Sequence, residues 1–165
     1  MRVCFTGAGH ILILASRMDK SLLRSHLQDL LREKAVALHV EIAATLQARN
    51  ADTKSSAGDK HEVGRAMVQQ ELDQLEAQVD KLEAQWHELA QLPEVGTTHR
   101  VTLGSLVTTE HDRYLIAIGI GYVELGGERC AVISPASPIG QALLGKRIGE
   151  GGSLNGRTFT VQSID

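Results

Sequence analysis

A chain of 165 residues with a formal net charge of −3 is sized for one ordinary domain or two small units, and its overall charge excludes a polyanion binder that works by counterion displacement across its whole surface. Aromatic residues make up only 3%, with Trp86 the single tryptophan, so Leu, Ala, Val and Ile carry the apolar content; that excludes a large aromatic-filled core and suits long helices with a small β unit. No run reaches the roughly 18 apolar residues of a membrane span.

Residues 1–17 carry Arg2 and an apolar run of about six residues, short of the roughly 7–15 of a signal-peptide core. Gly7 and Gly9 lack the third glycine of a dinucleotide fingerprint. The segment reads as an N-terminal extension upstream of a natural start at Met18. Cys4 and Cys130 are far apart and in no metal-ligand spacing. Cys130 lies in an apolar run, the setting of a buried reduced thiol, and a cytoplasmic location fits.

From Asp19 to Gln47 there is no Gly or Pro, and Leu23, Leu27, Leu30, Leu38, Ile42 and Leu46 recur at helical spacing, with Lys34 interrupting the stripe. Residues 48–59 are small, polar and Gly-containing, a turn or loose tip. Beyond it, Val68, Leu72, Leu75, Val79, Leu82, Trp86 and Leu89 form an a/d heptad seam, which is a packing stripe. A helix over 60–91 is about 45 Å long. Two such helices joined by a short polar link fold back antiparallel and bury their stripes on each other. The spacing therefore predicts a coiled-coil hairpin over 18–92 with its tip at about 49–62.

Pro93 ends the second helix. Residues 101–109, 113–120, 129–134 and 157–164 are rich in β-branched residues and separated by Gly and polar turns, the pattern of strands. Ser137 as N-cap, Pro138 at the first helical position and Gly145 as stop frame one short helix. The predicted class is α+β: a long antiparallel helical hairpin followed by a small antiparallel sheet with one short helix.

The run from Ser137 and Pro138 through Gly140, Ala142, Leu143, Leu144, Gly145 and Lys146, with Gly149-Glu150 behind it and a final hairpin over 151–164, resembles the C-terminal signature of the GreA/GreB transcript-cleavage factors. A second match is Gly58-Asp59-Lys60-His61-Glu62, placed where that family carries a Gly-Asp-x-x-Glu run at its coiled-coil tip. The resemblance covers roughly residues 19–165. It implies an FKBP-like domain over 93–165, supported by the 137–146 motif, that docks on bacterial RNA polymerase. It also implies a coiled coil that enters the secondary channel and meets the nascent RNA 3′ end. Asp59 and Glu62 then help hold the second catalytic Mg²⁺, shared with the polymerase, while the polymerase itself cuts the backtracked transcript. On this reading the chain is a monomeric transcription factor associated with a DNA-binding machine. It is not an enzyme in isolation, and it has no tightly bound cofactor.

Elementary chemistry supports the tip. Two-metal phosphodiester hydrolysis needs oxygen donors, and Mg²⁺ takes only one or two protein carboxylates. Three residues apart on a helix, Asp59 and Glu62 share a face with Cβ atoms about 5–6 Å apart. The same spacing is a capping box, Asp at N-cap and Glu at N3, and a carboxylate tied to backbone N–H groups has fewer lone pairs for a metal. His61 has no second His four residues on to make a transition-metal site of its own, so it is solvated or close to RNA. Lys54, Lys60 and Arg65 are candidate RNA-phosphate contacts, or ordinary solvated residues near a helix start.

Two features weigh against cleavage. Where the family places Asn and an aromatic after the second acid, this chain has Val63-Gly64-Arg65-Ala66, and Gly64 costs its helix about 1 kcal/mol against Ala. The loop before Gly58 is also longer and richer in Ser. The rival reading is a non-cleaving polymerase regulator, or a Rnk-like binder with the same C-terminal fold. A peptidyl-prolyl isomerase is a third reading. It needs an aromatic-lined pocket, and after residue 93 the chain has only Tyr114, Tyr122 and Phe159; fold alone does not carry function.

Overall fold

The computed structural model describes residues 18–52, 60–93, 98–154 and 156–165, with backbone alone at 51–52 and 60–63. Two long helices lead, α1 (Lys20–Asp52) and α2 (Lys60–Ala90). Asp19 starts α1: its carboxylate accepts from the backbone N–H of Ser21 at 2.8 Å and of Leu22 at 3.2 Å. Two of the donors that a helix start leaves open are thereby satisfied. The helix continues to Asp52 rather than stopping at Gln47, because Ala48, Arg49 and Ala51 are good helix formers and no Gly or Pro intervenes.

The packing stripe of α1 is Leu23, Leu27 and Leu31, all buried, continued by half-buried Leu38, Ile42 and Leu46. Leu31 takes the place expected of Leu30, which is only half-buried. On α2 the seam is as read: Leu72, Leu75, Val79 and Leu89 are buried, and Val68, Leu82 and Trp86 half-buried. Two cross-helix hydrogen bonds fix the antiparallel sense. At the base the Arg24 guanidinium donates to the Ala90 carbonyl at the C-terminus of α2. Far from the base, Arg49 Nη1 donates to Gln69 Oε1 at 3.2 Å.

After Pro93 come β1 (Leu106–Thr108), β2 (Arg113–Ile116), β3 (Gly121–Leu125), β4 (Glu128–Ile133), α3 (Pro138–Leu143), β5 (Gly151–Leu154), β6 (Arg157–Thr160) and β7 (Ser163–Ile164). Five of these strands form a sheet in the order β3-β4-β2-β1-β7, and β5 pairs with β6 separately. The sheet is antiparallel except for β2 and β4, which run parallel. That pair arises because the chain leaves β2, makes the β3–β4 hairpin, and lays the second strand of that hairpin against β2.

The strand over 101–109 shortens to β1. Ser105 Oγ accepts from the Thr102 N–H at 3.0 Å, and Gly104 takes a φ of 85°, so a turn precedes it. The strand over 157–164 divides in two. The Val161 N–H bonds to Glu150 O and the Gln162 N–H to Thr108 O, so the chain crosses from one sheet to the other at this point. β3, which the strand pattern missed, closes on β4 through Gly126-Gly127, both at positive φ (61° and 79°), a two-residue hairpin turn that glycine makes without strain.

Alternation along the strands sends side chains to both faces. Leu106, Leu115, Cys130 and Val132 pack under the hairpin base against Leu23, Leu27, Leu31 and Leu89. Val107, Ile116 and Ile164 pack on the other face against Leu143, Phe159 and Val161. The hairpin base and the sheet thus share one core. Cys130 is buried and free of any disulfide, and burial pushes its thiol up to about 11, so it stays protonated.

The cap on α1 has a pH signature. Hydrogen bonds from the Ser21 hydroxyl and from the backbone of Leu22 and Ser21 hold the Asp19 carboxyl below its ordinary 3.8. A depressed folded value means the contribution is complete above the unfolded pKa and is lost as pH falls through the folded one. Asp19→Ala therefore lowers Tm at about pH 7, and the gap to wild type closes by about pH 2. Asp19→Asn, which still caps, loses less. Thermal unfolding followed by circular dichroism at the two pH values checks this; a gap of constant size would show that the carboxylate plays no part.

Candidate functional site

The arm is the feature that sequence and structure both single out. α1 has 33 residues and α2 has 31, so each is about 45–50 Å long. With the base fixed in the sheet's core, the link between Asp52 and Lys60 joins the helices at the end remote from the sheet. Lys54 and Asp59 lie outside the described residues. Lys60, His61 and Glu62 belong to the first turn of α2, but their side chains are likewise outside the description. Arg65 is exposed on α2. A Cβ at Gly64 would meet nothing within 4 Å, so packing does not require this glycine. Near this end Gln69 is held between Arg49 and Asp73, whose Oδ1 accepts from Gln69 Nε2 at 2.8 Å. Among the described residues no group of three or more His, Cys, Asp or Glu is placed to hold a metal ion.

The 137–146 motif is resolved in detail, and its residues are occupied by folding. Ser137 Oγ accepts from the Gly140 N–H at 3.1 Å and donates to the Ser134 carbonyl at 2.7 Å, with Pro138 at the helix start as read. A Cβ on Gly140 would stand 2.3 Å from the Ser134 carbonyl oxygen. Leu143 is fully buried, and Ala142 and Leu144 pack beside it. Gly145 leaves the helix at φ 76°, and its N–H bonds to Val101 O at 2.8 Å. Lys146 O then accepts from the Val101 N–H, also at 2.8 Å, which ties the end of the motif to the start of the β region.

Two concavities were not legible in the sequence. One, of about 460 Å³, lies where the arm meets the sheet, between Lys34, Leu38 and Glu41 of α1, Lys81 and Gln85 of α2, and the Gly119-Ile120 turn. Lys34, the residue that breaks the apolar stripe of α1, lines this cleft, so the break was its one sequence signal. The other, of about 660 Å³, lies on the opposite face of the sheet and is lined by Tyr114, Tyr122 and Phe159 together. The Tyr114 hydroxyl donates to Asp112 Oδ2 at 3.3 Å. Burial first, and then the Asp112 carboxylate, push the phenol up to about 12, so it remains a donor. The three aromatics that seemed too few for a pocket are brought into one.

The described residues define a class of architecture: a two-helix arm whose base is built into a small mixed sheet carrying one short helix. Among solved structures, the chain is similar to the transcription factor Gfh1, at 25% identity, over 83% of this chain and 92% of that one, with a TM-score of 0.33. No protein-family profile matches the chain, and no curated protein matches it. No helix among the described residues is long and apolar enough to cross a membrane.

Proposed function

We propose that this chain is a bacterial RNA-polymerase-binding transcription factor that reaches into the secondary channel and stimulates cleavage of backtracked RNA by the polymerase. The observation that carries the reading is the stiff arm of about 45–50 Å, anchored in the sheet's core at one end, with Gly58-Asp59-Lys60-His61-Glu62 in sequence at the other. Asp59 and Glu62 are the residues that would hold the shared Mg²⁺, and hard carboxylate oxygens are the donors this ion takes. When bound, the ion supplies charge neutralisation at the scissile phosphate and an activated water. The chain itself delivers and orients the two carboxylates. Lys54, Lys60, His61 and Arg65 are assigned to the RNA side of the same end, and the 137–146 clamp keeps the docking domain folded.

Stalled, backtracked complexes of purified polymerase test this. The wild-type chain accelerates loss of the RNA 3′ segment. Asp59→Ala lowers that stimulation at least about tenfold, as loss of a metal-site partner does, while a pull-down with core polymerase is unchanged. Equal cleavage with wild type and Asp59→Ala would remove the proposed role of the tip.

The Val63-Gly64-Arg65-Ala66 run favours a second reading, a channel-occupying regulator that does not cleave. The same assay separates the two: polymerase binding without transcript shortening by the wild-type chain selects the second.

A further inference from the structure

The break in the apolar stripe of α1 falls at the cleft of about 460 Å³ where the arm meets the sheet, and there two ammonium groups line one hollow. Lys34 comes from α1 and Lys81 from α2. The cross-helix hydrogen bonds that bracket them, Arg24 to the Ala90 carbonyl and Arg49 to Gln69, set the antiparallel register. That register puts both lysines at about the same level of the hairpin. Positions beside the seam of a coiled coil ordinarily pair opposite charges across the helices. Here like charges share one side of the seam and repel. Among the described residues neither ammonium has a carboxylate within ion-pair distance.

The carboxylates of α2 lie off the cleft. Over 70–90 that helix carries Glu71, Asp73, Glu76, Asp80, Glu83 and Glu88, and none of them lines the hollow, where α2 supplies Gln78, Lys81, Leu82 and Gln85 instead. Glu41 is the one carboxylate in the lining, so two ammonium groups against it leave a single net positive charge. It stands two turns beyond Lys34, about 10 Å nearer the far end of the arm. The rest of the lining includes Leu31, Leu38, Leu82 and Ile120. Ile120 is fixed to the sheet by its N–H, which donates to Val132 O at 3.2 Å. Gln85 Nε2 donates to the Gly119 carbonyl at 3.5 Å, so α2 and the sheet meet at the cleft's edge.

We propose that this cleft binds a small organic monocarboxylate with an apolar body, of the medium-chain or arylalkanoic acid class. The carboxylate sits between Lys34 and Lys81, compact point charges that suit a single anionic head. Its one negative charge matches the net charge of the lining. The apolar body covers Leu31, Leu82 and Ile120 on the side of the sheet. Glu41 repels the head at the opposite end and so sets this direction. A volume of about 460 Å³, with an apolar floor and few polar groups, falls in the range of small-molecule sites. A phosphate dianion exceeds the charge of the lining and has no apolar body to lay on the floor. Because α1, α2 and the Gly119-Ile120 turn all line the cleft, an occupant ties the arm to the sheet and stabilises the folded joint. The proposal is independent of the chemistry at the far end of the arm.

The full-length chain, labelled for amide NMR, is titrated at low salt with octanoate, octanamide, acetate and inorganic phosphate, each up to about 10 mM, enough to register a Kd near 1 mM. Expected are saturable octanoate shifts centred on Leu38, Lys81 and Gly119-Ile120, and binding at least about tenfold weaker for the other three probes, a difference of about 1.4 kcal/mol. Lys34→Gln and Lys81→Gln alter exposed sites, so the fold is retained. Each weakens octanoate at least about fivefold, as loss of one charged hydrogen bond does, and Glu41→Gln tightens it. Octanoate raises the Tm of wild type and leaves that of the double lysine variant unmoved. No saturable octanoate shifts, shifts centred elsewhere, octanamide or phosphate bound as tightly as octanoate, unaltered binding in either lysine variant, or weaker binding to Glu41→Gln would each overturn the proposal.

Discussion

Replacing Gly140 with alanine destabilises the protein by about 3 kcal/mol, the upper end of what overpacking costs. The added Cβ would lie 2.3 Å from the Ser134 carbonyl oxygen, 2.9 Å from Ser137 Oγ and 3.2 Å from the Pro135 Cα. Two of these three atoms are backbone and cannot rotate away. The Ser134 carbonyl is also fixed by two hydrogen bonds, from the Ser137 N–H at 3.0 Å and the Ser137 hydroxyl at 2.7 Å. Relief of the clash therefore moves Ser134 and breaks the turn that sets the N-cap of α3. Leu143, fully buried on the same short helix, shifts with it. Urea unfolding measures the change as a lower midpoint at unchanged slope. Gly64→Ala is the control: its Cβ meets nothing within 4 Å and the backbone is helical, so stability holds or rises by up to about 1 kcal/mol. A Gly140→Ala protein within about 0.5 kcal/mol of wild type would mean that the turn has room the geometry denies it.

The same glycine marks how far a sequence can be read here. Ser137, Pro138 and Gly145 announced a capped short helix because capping is local chemistry, and α3 begins and ends where they place it. The heptad of α2 was legible for a similar reason: its period is long, unbroken and one-faced. The stripe of α1 was less clean, since Lys34 interrupts it. The interruption reports a cleft that takes shape only when the Gly119-Ile120 turn comes against both helices. Long-range register was hidden altogether. Nothing local to Arg113–Ile116 says that its neighbour is a parallel β4, and nothing local to Tyr114, Tyr122 or Phe159 says that they meet. The β3–β4 hairpin did carry a local signal, Gly126-Gly127, but Gly121–Leu125 has only Val123 buried, too weak an alternation to stand out as a strand. Of the tip residues, Arg65 alone has a described side chain, and it is exposed as a solvated or RNA-facing residue would be.

Leu27→Ala costs about 2–5 kcal/mol, the range for emptying a leucine site in a core. Leu27 is wholly buried, and the cluster around it mixes α1 and α2 with the strands: Leu23, Leu89, Leu115, Cys130 and Val132 are its company. A cavity there loosens the joint between arm and sheet as well as one helix. Since the joint is a shared core, helix and sheet unfold together. Trp86, packed against this cluster from α2, reports on the joint by fluorescence, and the far-ultraviolet helix signal reports on the arm. The two transitions coincide in wild type and move together in Leu27→Ala. Val40→Ala, at a site 65% exposed on the same helix, stays within about 0.5 kcal/mol of wild type. On the proposed function the arm would transmit force to the body that holds it, and this joint is where it would do so. Should the fluorescence midpoint fall in Leu27→Ala while the helix signal keeps its wild-type midpoint, the arm would be stable without its base, and the rigid coupling that the proposed delivery of Asp59 and Glu62 requires would be absent.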